Sequence, residues 1–213
     1  MAVQAVPDAN GNVTSTPAPD ISADAAMSAR LNFNIGYDHF EKAQAADKQA
    51  AALQGAQAKA AHQQALVGYA ESRTKMELAV KADPSLKEGW NLVGYTSRRL
   101  GDYTHSLEAY EKALALDPKY PEAIEYRAEA YLALNRLEDA KTSYLALFAA
   151  APVQAAVLLD SMKAWVATNR SPPAGVSATD LSAFAAWVEE RSGVAQKTAS
   201  LRPGLAAPAR DWR

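Results

Sequence analysis

The sequence predicts an all-α protein: a solenoid of three helix-turn-helix units with an elongated first hairpin and a helical cap after the last unit. Three observations predict it. Residues of matching size recur 34 apart, so that Trp90, Gly94, Gly101, Ser106, Tyr110 and Pro118 are followed by Ile124, Ala128, Asn135, Ala140, Tyr144 and Pro152, and a fixed period of a few tens of residues marks stacked units. Prolines close each unit at Pro84, Pro118 and Pro152, where a helix must stop because proline disfavours helical backbone in the residue before it. The stretch 41–68 is rich in Ala, Gln and Lys and holds no Pro, a composition with strong intrinsic helix preference.

Composition sets the outer bounds. The 213 residues are 49% hydrophobic and carry 22 Lys plus Arg against 24 Asp plus Glu, a net charge of -2. That is enough apolar material for one domain, without the basic excess that nucleic-acid binding draws on. Cysteine is absent, which excludes disulfides, thiolate zinc sites and cysteine nucleophiles. The apolar run 145–151 has seven residues, well short of the roughly 18 that cross a bilayer, so no transmembrane segment is expected.

The elements follow in order. Residues 1–28 contain three Asp, three Pro and no Lys or Arg and are expected to form a disordered leader. They lack the basic start and apolar segment of an export signal. Polar Ala/Pro/Thr leaders commonly follow a removed signal, so a periplasmic or cell-envelope location is expected, with the cytoplasm as the alternative. The first unit spans 29–86. Its Gly36 occupies the place of Gly94, yet Tyr69 follows 33 residues later instead of the 9 that separate Gly94 from Tyr103, an insertion of 24 residues within about 41–68. Shared between two helices, the extra length would carry a hairpin about 18 Å beyond the stack at about 1.5 Å per residue, turning near Gln54 and Gly55. The second unit spans 87–120 and the third 121–154. Gly101 and Asn135 suit the left-handed backbone that ends a first helix. Small residues at Gly36, Gly94 and Ala128, and at Ser106 and Ala140, let the two helices of a unit approach closely, while Tyr110 and Tyr144 fill the space behind. Residues 155–200 are read as capping helices: an apolar stripe Val157, Leu158, Met162 and Trp165, a break at Pro172-Pro173, and a restart at Ser177 with Asp180 at capping-box spacing. Trp165 and Trp187 are read as packing residues of this cap. Residues 201–213 are expected to be a flexible tail, in which Trp212 is a candidate anchor.

The unit that opens Lys87-Glu88-Gly89-Trp90 and closes Leu116-Asp117-Pro118 resembles the tetratricopeptide repeat, whose Trp, Leu-Gly, Tyr, Ala, Phe and Pro places over 34 residues it nearly reproduces. The resemblance covers roughly 29–152. Leu147 and Arg127 depart from the residues the family prefers, Ala and Leu. The resemblance implies a right-handed stack in which the first helices line a concave groove, and it places Phe33, Tyr37, Phe40, Asn91, Tyr95, Arg98, Arg99, Glu125, Tyr126 and Glu129 there. The subgroup that grips chaperone tails by a carboxylate needs basic and Asn residues where this chain has Phe33, Tyr37, Leu92, Glu122 and Tyr126, so that clamp is missing. The occupant implied is an extended or helical apolar segment of a partner protein, with Arg98 or Arg99 pairing an acid.

Catalytic groups are sparse. The sequence has neither a phosphate-cradling glycine loop nor a nucleophile elbow, and its three histidines, His39, His62 and His105, are not at helical metal spacing. With a turn near Gly55, His39 should face 69–71 rather than His62, and the adjacent Glu189 and Glu190 diverge on a helix. No catalytic residue, metal or cofactor is therefore expected. The reading is a non-catalytic adaptor for a protein or peptide segment; the alternative is a structural subunit that self-associates through the projecting hairpin or the cap.

Overall fold

The computed structural model describes residues 21–201, with side chains to residue 197. The leader's first 20 residues and the tail with Trp212 lie outside the described residues. Eight α-helices and no strand occur among the described residues: α1 (Ala23–Ala52), α2 (Gly55–Ala82), α3 (Lys87–Arg99), α4 (Tyr103–Leu116), α5 (Pro121–Ala133), α6 (Leu137–Ala150), α7 (Pro152–Thr168) and α8 (Ala178–Leu201). Each helix packs against its neighbours in the chain, and α3 also lies beside α5, and α5 beside α7. This is the helical-hairpin stack of a TPR-like α-solenoid, and its core runs along the molecule in two adjoining clusters, one around Phe40, Tyr69 and Tyr110, the other around Tyr144, Leu158 and Phe184. No described helix is long and apolar enough to cross a membrane.

The 34-residue register is visible as contact. A Cβ added at Gly94 would stand 2.5 Å from Cε1 of Tyr110, and one at Gly36 would stand 3.1 Å from Cε of Met76, the residue 34 before Tyr110. Ser106 Oγ donates to the Gly94 carbonyl at 2.8 Å, closing the same crossing with a buried hydrogen bond. The first helices end as their sequences require: Gly101 has φ +80° and Asn135 has φ +59°. Pro121 and Pro152 sit in the opening turns of α5 and α7, where a missing N–H costs nothing. Ser177 Oγ accepts from the Asp180 amide at 3.0 Å and donates to its carboxylate at 2.6 Å, the expected capping box of α8.

Three places differ from the sequence reading. Residues 23–28, expected within the leader, are helical: α1 begins at Ala23, held by Ser22, whose Oγ accepts from the Ala25 amide at 3.2 Å. The cap expected from 155 starts earlier, α7 beginning at Pro152. The inserted hairpin also turns where expected, between Ala52 and Gly55, the latter at φ +59°, but its base belongs to the stack. Ala43, Ala46 and Ala65 are buried in the first core cluster. Asp47 accepts from the Tyr69 hydroxyl at 2.8 Å and is ion-paired with Arg99 of α3. Beyond Asp47 only residues 48–52 of α1 remain, roughly 8 Å of helix, so the expected 18 Å projection is shortened by these ties.

Two stability outcomes follow from this packing. Gly94→Leu should lower the unfolding free energy by about 1–3 kcal/mol or more, since the Tyr110 ring it meets is fully buried and must move. Gly193→Ala in α8, whose Cβ meets nothing within 4 Å, should instead raise it by up to about 1 kcal/mol; urea denaturation distinguishes the two signs. Replacing residues 49–60 by a short Gly/Ser turn should leave a cooperative melt, whereas deleting 43–65, which removes Asp47 and the four buried alanines Ala43, Ala46, Ala61 and Ala65, should broaden the melt or lower its midpoint in circular dichroism. Equal behaviour of the two deletions would show that the base of the arm is not part of the core.

Candidate functional site

An aromatic row crosses the first helices. Phe33 and Tyr37 on α1 stack at 6.1 Å, Tyr37 lies 5.9 Å from Phe40, Phe40 meets Tyr95 of α3 edge-on at 5.1 Å, and Tyr95 meets Tyr126 of α5 edge-on at 4.9 Å. Tilted and edge-to-face pairs of this kind add to the burial of the rings themselves. The row fixes the spacing of α1, α3 and α5, and with it the positions of the charged residues further along them, one turn on in α3 and α5 and two turns on in α1.

Those charges are arranged as rungs between neighbouring first helices. Arg98 of α3 reaches Glu129 of α5 at 2.7 Å, and its guanidinium lies over the rings of Tyr95 and Tyr126 at 5.0 and 5.9 Å. Glu129 accepts a second bond, 2.8 Å from Ser161 Oγ of α7. Arg99 pairs with Asp47 of α1 and lies 5.3 Å over the ring of Tyr69. Gln44 donates to the Tyr95 hydroxyl at 3.4 Å. Burial works against the charged form of Arg98, but the Glu129 carboxylate together with the Tyr110 and Tyr95 phenols beside it holds its pKa above the ordinary value. Burial pushes up the Tyr69 and Tyr110 phenols, so both are neutral at any physiological pH.

Between α3, α5 and α7 the surface opens into a groove of about 430 Å³ lined by Tyr95, Arg98, Arg99, Tyr126, Glu129, Leu132, Ala133, Ser161, Ala164 and Trp165. Five residues expected from the sequence are therefore brought together there: Tyr95, Arg98, Arg99, Tyr126 and Glu129. The other five are not part of this opening. Phe33 and Tyr37 are half-buried against the first core cluster. Phe40, Asn91 and Glu125 are enclosed and do not line the opening, which corrects their assignment as partner-facing residues; Tyr95 and Tyr126 do line it, with only 7% and 1% of their surface exposed. Phe40 is enclosed because the long α1 carries it between Tyr69 and Tyr95. Asn91 lies against the Tyr120 hydroxyl. Glu125 is enclosed on α5 and engaged there.

Half of the lining was missed from the sequence. Leu132 and Ala133 stand 34 residues after Arg98 and Arg99, so the repeat register already marked them, but their apolar character hid them among core positions. Ser161, Ala164 and Trp165 come from α7, outside the repeats. Trp165 serves both sides: it meets the buried Phe184 edge-on at 5.4 Å and lines the groove with its other surface. The histidines are engaged elsewhere, each with a carboxylate of another helix: His39 with Glu71 at 2.9 Å, as the turn near Gly55 required, His62 with Asp47 at 3.4 Å and His105 with Glu77 at 3.1 Å. Among the described residues no three His, Asp or Glu converge as a metal site would need.

The Arg98–Glu129 rung makes a charge reversal at Arg98 a change to the fold as well as to the groove. Arg98→Glu places two carboxylates together in a site that is mostly shielded from water, at an expected cost of roughly 2 kcal/mol or more. Thermal melts of Arg98→Glu and of the charge-swapped Arg98→Glu/Glu129→Arg check this: the single variant should melt lower and the swap should recover part of the loss.

No curated protein matches the chain. A family model described as TPR repeat matches residues 94–135, from Gly94 on α3 through α4 to the left-handed Asn135 that ends α5. The matched segment lies within the TPR-like α-solenoid, and repeats of this type generally serve protein–protein interaction and are typically non-catalytic.

Proposed function

We propose that the chain is a non-catalytic adaptor that holds a segment of a partner protein in the groove between α3, α5 and α7. The observation that carries this is the groove itself: α3 and α5, held together by the Tyr95–Tyr126 contact, and α7 beside them leave an open concavity whose lining joins aromatic rings, two arginines and small apolar residues. Tyrosine, tryptophan and arginine in a partly desolvated depression are the residue types that most often carry binding energy, and the opening is of a size usual for ligand pockets. The interior charges are already committed to one another, so the site offers recognition surface rather than a poised acid, base or nucleophile.

A second reading, self-association through the first hairpin, is favoured by Met27 and Leu31, which are 74% and 60% exposed one turn apart on α1. Sedimentation of the purified chain with and without Leu31→Lys tests it, and a monomer in both cases would remove it.

The groove reading is tested by filling the groove without touching the core. Ala133 and Ala164 are exposed and line it, so Ala133→Arg with Ala164→Arg should melt like the parent and lose its partners in quantitative capture from native extract. Unchanged partners in a folded double variant would place binding elsewhere.

A further inference from the structure

The two ends of the groove differ in chemistry, and the difference follows the repeat register. Arg98 and Arg99 at the α3 end become Leu132 and Ala133 at the equivalent places 34 residues later. Beside them α7 contributes Ala164, exposed and small, and Trp165, whose ring is braced by Phe184 at 5.4 Å. Phe184 is 2% exposed, so the wall that Trp165 makes has a packed backing and does not need to be ordered when something binds. Small residues on two facing helices and a braced aromatic between them leave room for a side chain at this end of the groove, and its apolar lining residues carry no charge.

The neighbouring charges do not reach out for a partner. Arg98 is held by Glu129, Glu129 is also bonded to Ser161, and Arg99 is held by Asp47. An incoming charged group would meet arginines already neutralised by carboxylates and would compete with these pairs, which gains little in a partly buried site. An uncharged group displaces only water.

We infer that the α5–α7 end of the groove is a pocket for one large, uncharged apolar side chain of a partner segment, leucine-, methionine- or phenylalanine-like, seated against Trp165, with Leu132 as floor and Ala133 and Ala164 as sides. The rest of the segment crosses the aromatic and paired-charge surface toward α3. This rests on the groove being the binding site and adds what it selects. It also assigns the selecting residues to α7, a helix outside the repeats.

The experiment selects random 12-residue peptides displayed on phage against the full chain, then measures a synthetic version of the most enriched peptide by titration calorimetry and by amide and indole shifts in NMR. The expected result is a shared Leu, Met or Phe in the enriched peptides, a shift of the Trp165 indole, and at least a tenfold loss of affinity both when that residue is changed to Glu and in Ala164→Arg. Ala164→Gln, smaller and uncharged, serves as the second variant should Ala164→Arg melt below the parent, and is expected to weaken binding as well. Peptides that shift Tyr95 and Arg98 but carry a charged anchor, or are indifferent to both substitutions at Ala164, overturn the apolar pocket while leaving the groove as the site. Peptides that bind outside α3, α5 and α7, or failure of any peptide to enrich, overturn the groove reading and the pocket with it.

Discussion

The close approach of the two helices in each unit is the constraint on which the rest of the structure depends. At Gly94 the backbone of α3 lies so near the Tyr110 ring that a single added carbon would sit 2.5 Å from it. Packing of this closeness requires the smallest residue on one helix and a large, well-placed one on the other, and the hydroxyl of Ser106 binds the Gly94 carbonyl at the same crossing. With the two helices locked at that depth, the adjoining face of α3 is set to meet α1 and α5. The aromatic row from Phe33 to Tyr126 occupies that face, so the geometry of the concave side is inherited from the crossing beside it.

Pairing of charges along the concave side follows from the same spacing. Arg98, Glu129 and Ser161 belong to three successive first helices and bond in sequence, while Arg99 reaches back to Asp47 on the first. In a solenoid each unit is stabilised through its interfaces with its neighbours, and rungs of this kind tie the neighbours on the one face that has no second helix behind it. They also make the surface electrically quiet. The sequence places two arginines on this face and leaves one of them to pair an acid of the partner; with each arginine matched by a carboxylate of the chain itself, the face is charge-balanced, with aromatic walls.

Much of the fold was legible because its signals are local or periodic. The spacing of 34 located Gly94 against Tyr110 and Gly36 against Met76, Gly101 and Asn135 announced their left-handed backbone, and the turn at Gly55 predicted that His39 would meet Glu71. The candidate site was legible in part. Tyr95, Arg98, Arg99, Tyr126 and Glu129 line the groove, whereas Phe40, Asn91 and Glu125, at equally plausible places on their helices, do not. For Phe40 the deciding factor is how far the neighbouring helix extends. The inserted residues continue α1 past the usual end of a first helix, laying Phe40, Gln44 and Asp47 against α3, and composition alone said only that the insertion would be helical.

The contribution of α7 was hidden for a different reason. It begins at Pro152, directly after α6, whereas α3 begins at Lys87, three residues after Pro84; had α7 kept that offset it would begin at residue 155. The repeat register also puts Met162 where α3 has Gly94, and Met162 is fully buried. A methionine in that place forbids the close helix crossing of the earlier units, so the partner helix α8 joins through the linker around Pro172 and Pro173 and packs instead with Phe184 and Val188. Yet α7 still lies beside α5, as a first helix would. The cap is thus a fourth hairpin that has lost the repeat's internal contact but kept its position in the row, which is why the groove does not stop where the repeat pattern stops and why its last wall is a tryptophan that no repeat position predicts.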